Sequence, residues 1–185
     1  MKIKHSGAIV ALVVLLTAAG SAFAQNASWY AGGALSLNSA SGYNTTVGIS
    51  AYGGYVLPVN AGPGSLAVEV GYDHLGSFDE SGLPPGDSAS ASFQDVATTA
   101  VYTWAATNVV GLYGRAGLAM WNAKLSSNYG VSGSTSGIDP MIGVGVIYRL
   151  TPKVSLRGEL RLYSAGSSSV GSDIDSILFG ATYTF

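Results

Sequence analysis

The sequence predicts an all-β protein, an eight-stranded antiparallel up-and-down transmembrane β-barrel. Three observations carry that prediction. Eight segments alternate apolar and polar residues with the two-residue period of a strand, and none shows helical spacing. Charged residues make up 10% of the chain, against about 25% in soluble domains, whereas glycine reaches 26 residues and tyrosine outnumbers phenylalanine by 11 to 5. No apolar run beyond the N-terminus is long enough for a spanning helix, and a barrel needs none, because only every second strand residue faces lipid.

The first 24 residues read as a secretory signal peptide. Lys2 and Lys4 form its positive end, residues 8–19 its apolar run, and Ala22-Phe23-Ala24 the small-x-small cleavage pattern. The mature chain is expected to start at Gln25 and to form one barrel domain over 25–185. The apolar run falls short of the ~18–20 residues of a spanning helix, which argues against an uncleaved anchor. Removing Lys2 and Lys4 from the eight Lys and Arg leaves six against ten acids, a formal charge of −4. A nucleic-acid partner would want a basic face, so none is expected. Cysteine is absent, which removes disulfides and thiolate metal sites, and His74 is the one histidine after the signal peptide. No cofactor is expected.

The elements follow in order, each long enough for the ~9–11 residues of a tilted spanning strand. Segment 28–38 carries Trp29 on its apolar face, and 44–57 carries Tyr55 there with Gly48 and Gly54 opposite. Segment 65–77 turns Glu69, Gly71 and Asp73 to the polar face. Segment 92–106 does so with Asp95 while Tyr102 and Trp104 stay apolar-side, and 109–123 does so with Arg115 and Gly117. In segment 138–150, Ile142, Val144, Val146, Tyr148 and Leu150 oppose Gly143, Gly145, Ile147 and Arg149. Segment 153–165 sets Val154, Leu156, Gly158, Leu160 and Leu162 against Ser155, Arg157, Glu159, Arg161 and Tyr163. Segment 174–185 sets Ile177, Phe179, Ala181, Tyr183 and Phe185 against Ser176, Leu178, Gly180, Thr182 and Thr184.

Connections alternate in length. Leu57 to Gly64, Thr107-Asn108 and Thr151-Pro152-Lys153 are short, whereas the stretches near 39–43, 78–91, 124–137 and 166–173 are longer and polar. Membrane barrels pair short periplasmic turns with long external loops, which assigns both ends and puts both termini on the periplasmic side. Aromatics decide which face is outside. Trp29, Tyr55, Tyr102, Trp104, Tyr148, Tyr183 and Phe185 all fall on the apolar face at strand ends assigned to the short-turn side, forming an interfacial girdle. A lipocalin-like soluble barrel would bury that face, and its rings would not collect at one height.

Several segments carry a family resemblance: Trp29-Tyr30-Ala31-Gly32, Val68-Glu69-Val70-Gly71-Tyr72-Asp73-His74-Leu75-Gly76, Leu112-Tyr113-Gly114-Arg115-Ala116-Gly117 and the Tyr183-Thr184-Phe185 terminus. On these the mature chain resembles the OmpA/OmpX-type outer-membrane β-barrels over essentially its whole length. The resemblance implies outer-membrane localisation and an interior ion network that blocks the lumen. It further implies that Tyr183 and Phe185 form the signal read by the outer-membrane insertion machinery. Lipid, lipopolysaccharide and periplasmic chaperones are the partners it implies, and a monomer is expected. OmpA itself continues into a peptidoglycan-binding domain where this sequence ends at Phe185, so the barrel-only relatives are the better expectation.

Parity places Glu69, Asp73, Asp95, Arg115, Arg149, Arg157, Glu159 and Arg161 inward, four acids balanced by four arginines. An eight-stranded barrel has room only for its side chains, and an unpaired charge there costs several kcal/mol. The reading is a self-neutralised plug centred on Glu69, Arg115, Arg157 and Glu159, with a narrow gated pore through the same residues as the alternative. The inward glycines, Gly48, Gly54, Gly71, Gly117, Gly143 and Gly145, are expected to make room for the arginines.

Catalytic readings are weaker. A lipid A-modifying enzyme would use His and Ser at the external rim, where His74 lies near Ser77. However, Asp73 and His74 are strand neighbours on opposite faces and cannot form a relay. Gly133-Ser134-Thr135-Ser136-Gly137 has Thr where a nucleophile elbow has Ser, and it is expected in a flexible loop. Gly143-Val144-Gly145 lacks the following helix of a nucleotide loop. No catalysis is expected, and the function is read as structural or surface-directed. The loops, with Asp79, Glu80 and Asp87 in the second and Lys124 and Tyr129 near the third, offer adhesion or another surface interaction, without the basic cluster that a polyanion would need.

Overall fold

The computed structural model describes residues 28–40, 44–59, 61–79, 89–127, 132–163 and 174–185. The expected signal peptide, the Gln25 start, and Glu80, Asp87 and Tyr129 lie outside these residues. Eight strands follow one another: β1 Ser28–Ala40, β2 Thr46–Val56, β3 Gly64–Asp79, β4 Ala89–Ala105, β5 Val110–Ser127, β6 Ser132–Arg149, β7 Val154–Tyr163 and β8 Ile174–Thr184. Each pairs antiparallel with the next, and β8 returns to β1, with Ala34 opposite Gly180 and Leu35 opposite Phe179, so the sheet closes. Closure matters in hydrocarbon, because it pairs every strand edge and leaves no backbone donor facing lipid.

Alternation sorts the side chains as lipid requires. Leu160, Val144 and Phe179 are 56%, 61% and 67% exposed, whereas Arg157, Glu159 and Arg161 on the same wall are buried. The barrel is apolar outside and ionic within.

Strands β3 to β6 run to 16, 17, 18 and 18 residues, against 10 for β7. This corrects two expectations. The stretch 124–137 is largely hairpin, because Lys124 pairs with Ser134 and the ladder continues to Ser126 opposite Ser132. The Gly133–Gly137 run therefore lies in β6, where inter-strand hydrogen bonding satisfies its small residues, and not in a loop. The short turns are built as their threonines suggest. Thr107 Oγ1 accepts from the Val110 amide at 2.9 Å, and Thr151 Oγ1 accepts from the Val154 amide at 2.9 Å. Gly76, at φ +93°, sits where β3 slips one residue against β4 between His74 and Gly76, and the slip sets Gly76 opposite the inward Phe93, on the buried face that Asp73 and Leu75 already share.

Candidate functional site

The lumen is packed by ions in its middle. Glu69 on β3 and Glu159 on β7 each meet both Arg115 on β5 and Arg157 on β7. Arg115 reaches Glu69 at 2.5 Å and Glu159 at 3.2 Å, and Arg157 reaches them at 2.8 and 3.4 Å. The four make a closed ring of alternating charge. Such a ring holds in a low-dielectric interior only if the remaining lone pairs are also satisfied. Tyrosines and a threonine do much of that work. Tyr30 donates to Glu69 at 2.9 Å, Tyr113 donates to Glu159 at 2.6 Å, and Arg115 donates to Thr99 at 2.8 Å. Arg157 donates Nε–H to the Tyr113 hydroxyl at 2.6 Å and stacks over the Tyr113 ring at 4.2 Å and the Tyr52 ring at 4.9 Å.

From the ring, a chain of ions climbs toward the loop end. Arg161 bonds Glu159 at 2.8 Å and Asp73 at 2.9 Å, and it donates to the Tyr163 hydroxyl at 2.9 Å. Ser50 donates to Asp73 as well. Asp95 stands opposite Asp73 in register, at the top of this chain.

Apolar side chains close the column at both ends. Leu75, Phe93, Ala97, Ala119, Ala123, Met141 and Tyr163, with Trp121 against them, cluster toward the loops. Ala67, Val101 and Tyr113, with Tyr30, Val56 and Ile147, cluster toward the short turns. Among the described residues the lumen thus runs apolar, ionic, apolar.

Arg149 departs from the expected placement. Its inward parity holds, but it is the last residue of β6, exposed at the short-turn mouth, and donates to the Asn108 carbonyl at 3.4 Å. It takes no part in the ion column. Seven ions are therefore buried in the lumen, namely Glu69, Asp73, Asp95, Glu159, Arg115, Arg157 and Arg161. Four acids face three arginines. Asp139, on the inward parity of β6 but not counted from the sequence, is half-buried and accepts from the Trp121 indole at 2.5 Å.

The role of the glycines also differs in part. A Cβ on Gly143 would meet Arg115 Cγ at 3.0 Å, as expected. On Gly54 it would fall 2.2 Å from Tyr30, and on Gly145 2.5 Å from Tyr113. Those two glycines house the tyrosines that orient the acids. The tyrosines were legible in principle, since Tyr30 and Tyr113 share the parity of their strands' inward residues, but nothing local signals that their hydroxyls meet carboxylates.

On the outer wall, the tilted rings of Trp29 and Tyr55 meet at 4.7 Å, Tyr183 and Phe185 meet edge to face at 5.3 Å, and Tyr102, Trp104 and Tyr148 are exposed at the same end. His74 lies in a register row with Ile49, Gln94, Asn122 and Ser136, while Asp73 beside it is committed to Ser50 and Arg161. The two make no relay. Among the described residues no cluster of three acids, histidines or cysteines could hold a metal ion.

Comparison with known proteins agrees with this architecture. Outer membrane protein A of Klebsiella aerogenes is 28% identical over 194 aligned residues, covering 95% of this chain and 53% of that protein. The Escherichia coli O157:H7 protein of the same name is 27% identical, again over 95% and 53%. The chain thus spans about half the length of the curated relatives it matches. Among solved structures, the neisserial surface protein NspA superposes with a TM-score of 0.61 at 19% identity, covering 87% of this chain and 98% of that one. The attachment invasion locus protein Ail of Yersinia pestis superposes with a TM-score of 0.57 at 20% identity, covering 86% and 97%. The profile described as "Outer membrane protein beta-barrel domain" matches residues 8–185. With that match over nearly the whole chain, the protein belongs to the outer membrane protein beta-barrel domain family and resides in the outer membrane.

Proposed function

We propose that the protein is a non-conducting, non-catalytic scaffold of the outer membrane whose loop end carries its surface interactions. The observation behind this reading is the ring of Glu69, Arg115, Arg157 and Glu159, buried between two apolar clusters. A conducting path needs sites that ions can enter and leave. Here each ring charge is already held by two others, and releasing one leaves an uncompensated charge buried in the ring. The sealed column also ties β3, β5 and β7 together, which suits a protein serving envelope integrity.

Strands β4 to β6 exceed the ~9–11 residues needed to cross hydrocarbon, so their upper parts stand beyond it as a paired, rigid wall. That wall presents loops at a fixed height, an arrangement suited to adhesion. The superposing Yersinia protein is named for attachment and invasion, and the neisserial one is named a surface protein. At the level where the apolar band ends, the row of His74, Gln94, Asn122 and Ser136 supplies polar groups for lipopolysaccharide headgroups. Tyr183 and Phe185 serve as the C-terminal signal for insertion.

Planar-bilayer recording tests the seal. Wild-type protein is expected to be silent, and Glu69→Ala, which takes one of two carboxylates from each ring arginine, to open fluctuating currents if it still folds. Steady wild-type currents of defined size would replace this reading with the gated pore. Silence in both would leave the seal standing and dismiss any gate at Glu69.

A further inference from the structure

The buried ion column does not balance. Glu69 and Glu159 are each met by two or more arginines, and Asp73 by Arg161 and Ser50. Asp95 is left over. Its side chain is 3% exposed, and neither carboxyl oxygen has a hydrogen-bond partner among the described residues. It stands directly opposite Asp73 across the β3–β4 ladder, and the two carboxyls act on one another.

What surrounds Asp95 offers no second cation. From β7 come Arg161, already divided between Glu159 and Asp73, and Tyr163, which accepts from Arg161. From β5 come Trp121, opposite Asp95 in register, and deeper in the barrel Arg115, committed to Glu69, Glu159 and Thr99. Asp139 on β6 is a further acid, taken by Trp121. Phe93 and Leu75 close the space above.

An ionised carboxylate left unpaired in such a site costs several kcal/mol, and a like charge beside it adds to the cost. Buried groups in that position neutralise. We propose that the folded barrel binds one proton at the Asp73–Asp95 pair, held on Asp95, so that its interior ions balance at three acids and three arginines. The neutral carboxyl gains a donor that the carboxylate lacks, and Asp73 is the acceptor facing it. A small metal cation is the less suitable ligand. Asp73 already commits Oδ1 to Ser50 and Arg161, and no third acid or histidine joins the pair in a metal-holding group among the described residues. This inference concerns the charge state of the column, and it stands or falls independently of whether the lumen conducts or the loops bind.

The test uses folded wild type, Asp95→Asn and the double variant Asp73→Asn/Asp95→Asn in detergent micelles, with urea-unfolding midpoints and infrared difference spectra. Asn is isosteric with the protonated acid, so Asp95→Asn is expected to hold or raise the wild-type midpoint. The double variant removes one of the two carboxylates that hold Arg161 and is expected to lower the midpoint. Wild type should show a protonated-carboxyl C=O band that Asp95→Asn lacks. A midpoint for Asp95→Asn as low as the double variant's would overturn the proposal, as would absence of that band or its survival in Asp95→Asn. Loss of wild-type stability on replacing sodium and potassium by choline would also overturn it, in favour of a bound metal cation. If Asp95→Asn failed to fold, the wild-type band alone, tracked by hydrogen–deuterium exchange, would still decide.

Discussion

At the residue scale, the barrel interior is organised by pairs of unlike size. Gly54 faces Tyr30 and Gly145 faces Tyr113, each so close that a single methyl would collide with the ring. The rings in turn aim their hydroxyls at Glu69 and Glu159. Glycine here is space given to a tyrosine, and the tyrosine is the acids' orienting donor. Gly54→Ala is accordingly expected to destabilise the folded barrel by about 1–3 kcal/mol through overpacking. In a Tyr30→Ala background the same substitution should cost much less, since the atoms it strikes are gone. Urea unfolding of the four proteins in a double-mutant cycle measures that coupling, and additive costs would separate Gly54 from Tyr30. Parity made the inward positions readable in the sequence, down to Arg157 and Glu159. Parity alone grouped Arg149 with the interior ions, and its place at the end of β6 beside a turn removed it from the column.

At the element scale, each strand serves two solvents. In β6, Ile142, Val144, Val146 and Tyr148 are exposed toward lipid while Met141 and Gly143 face the lumen. Val144 sits between Gly114 and Leu160 in register, far from either strand end, whereas Ser136 lies in the polar row toward the loops. Val144→Arg is therefore expected to lower the unfolding free energy in liposomes by about 2–4 kcal/mol, and Ser136→Arg by about 0–1. Equal effects at the two positions would contradict the depth assigned to this wall. The type and order of every strand were legible from the period of two, but β6 begins at Ser132, six residues before the 138 expected. The upper reaches of β4, β5 and β6 were not legible, because the Ser and Gly that predominate there have weak strand preference. There pairing with a neighbour decides between ladder and loop, and the sequence shows each segment alone.

At the scale of the whole molecule, the decisive feature is closure. The β1–β8 ladder, from Tyr30 opposite Thr184 to Ala40 opposite Ile174, turns an open sheet into a cylinder without edges. Disrupting the wall at one place then undoes all of it. Unboiled protein from purified outer membranes is expected to migrate as a compact SDS-resistant form that shifts on heating, and deletion of residues 174–185 to abolish that form. A single mobility before and after boiling would be incompatible with a closed barrel. The ion column adds to this resistance from inside by joining β3, β5 and β7 through charges that can be satisfied only together.

The sequence by itself determined the barrel, its strand number and the inversion of its faces. These follow from local alternation and from the exclusion of charge from lipid, which every residue obeys separately. Only the tertiary structure decided which charges meet. It matched Arg115 and Arg157 to both glutamates, withdrew Arg149, and left Asp73 and Asp95 face to face with one arginine between them. Those outcomes depend on register across strands 16 to 88 residues apart in the chain, where strand tilt and side-chain reach set the distances and no local pattern records them.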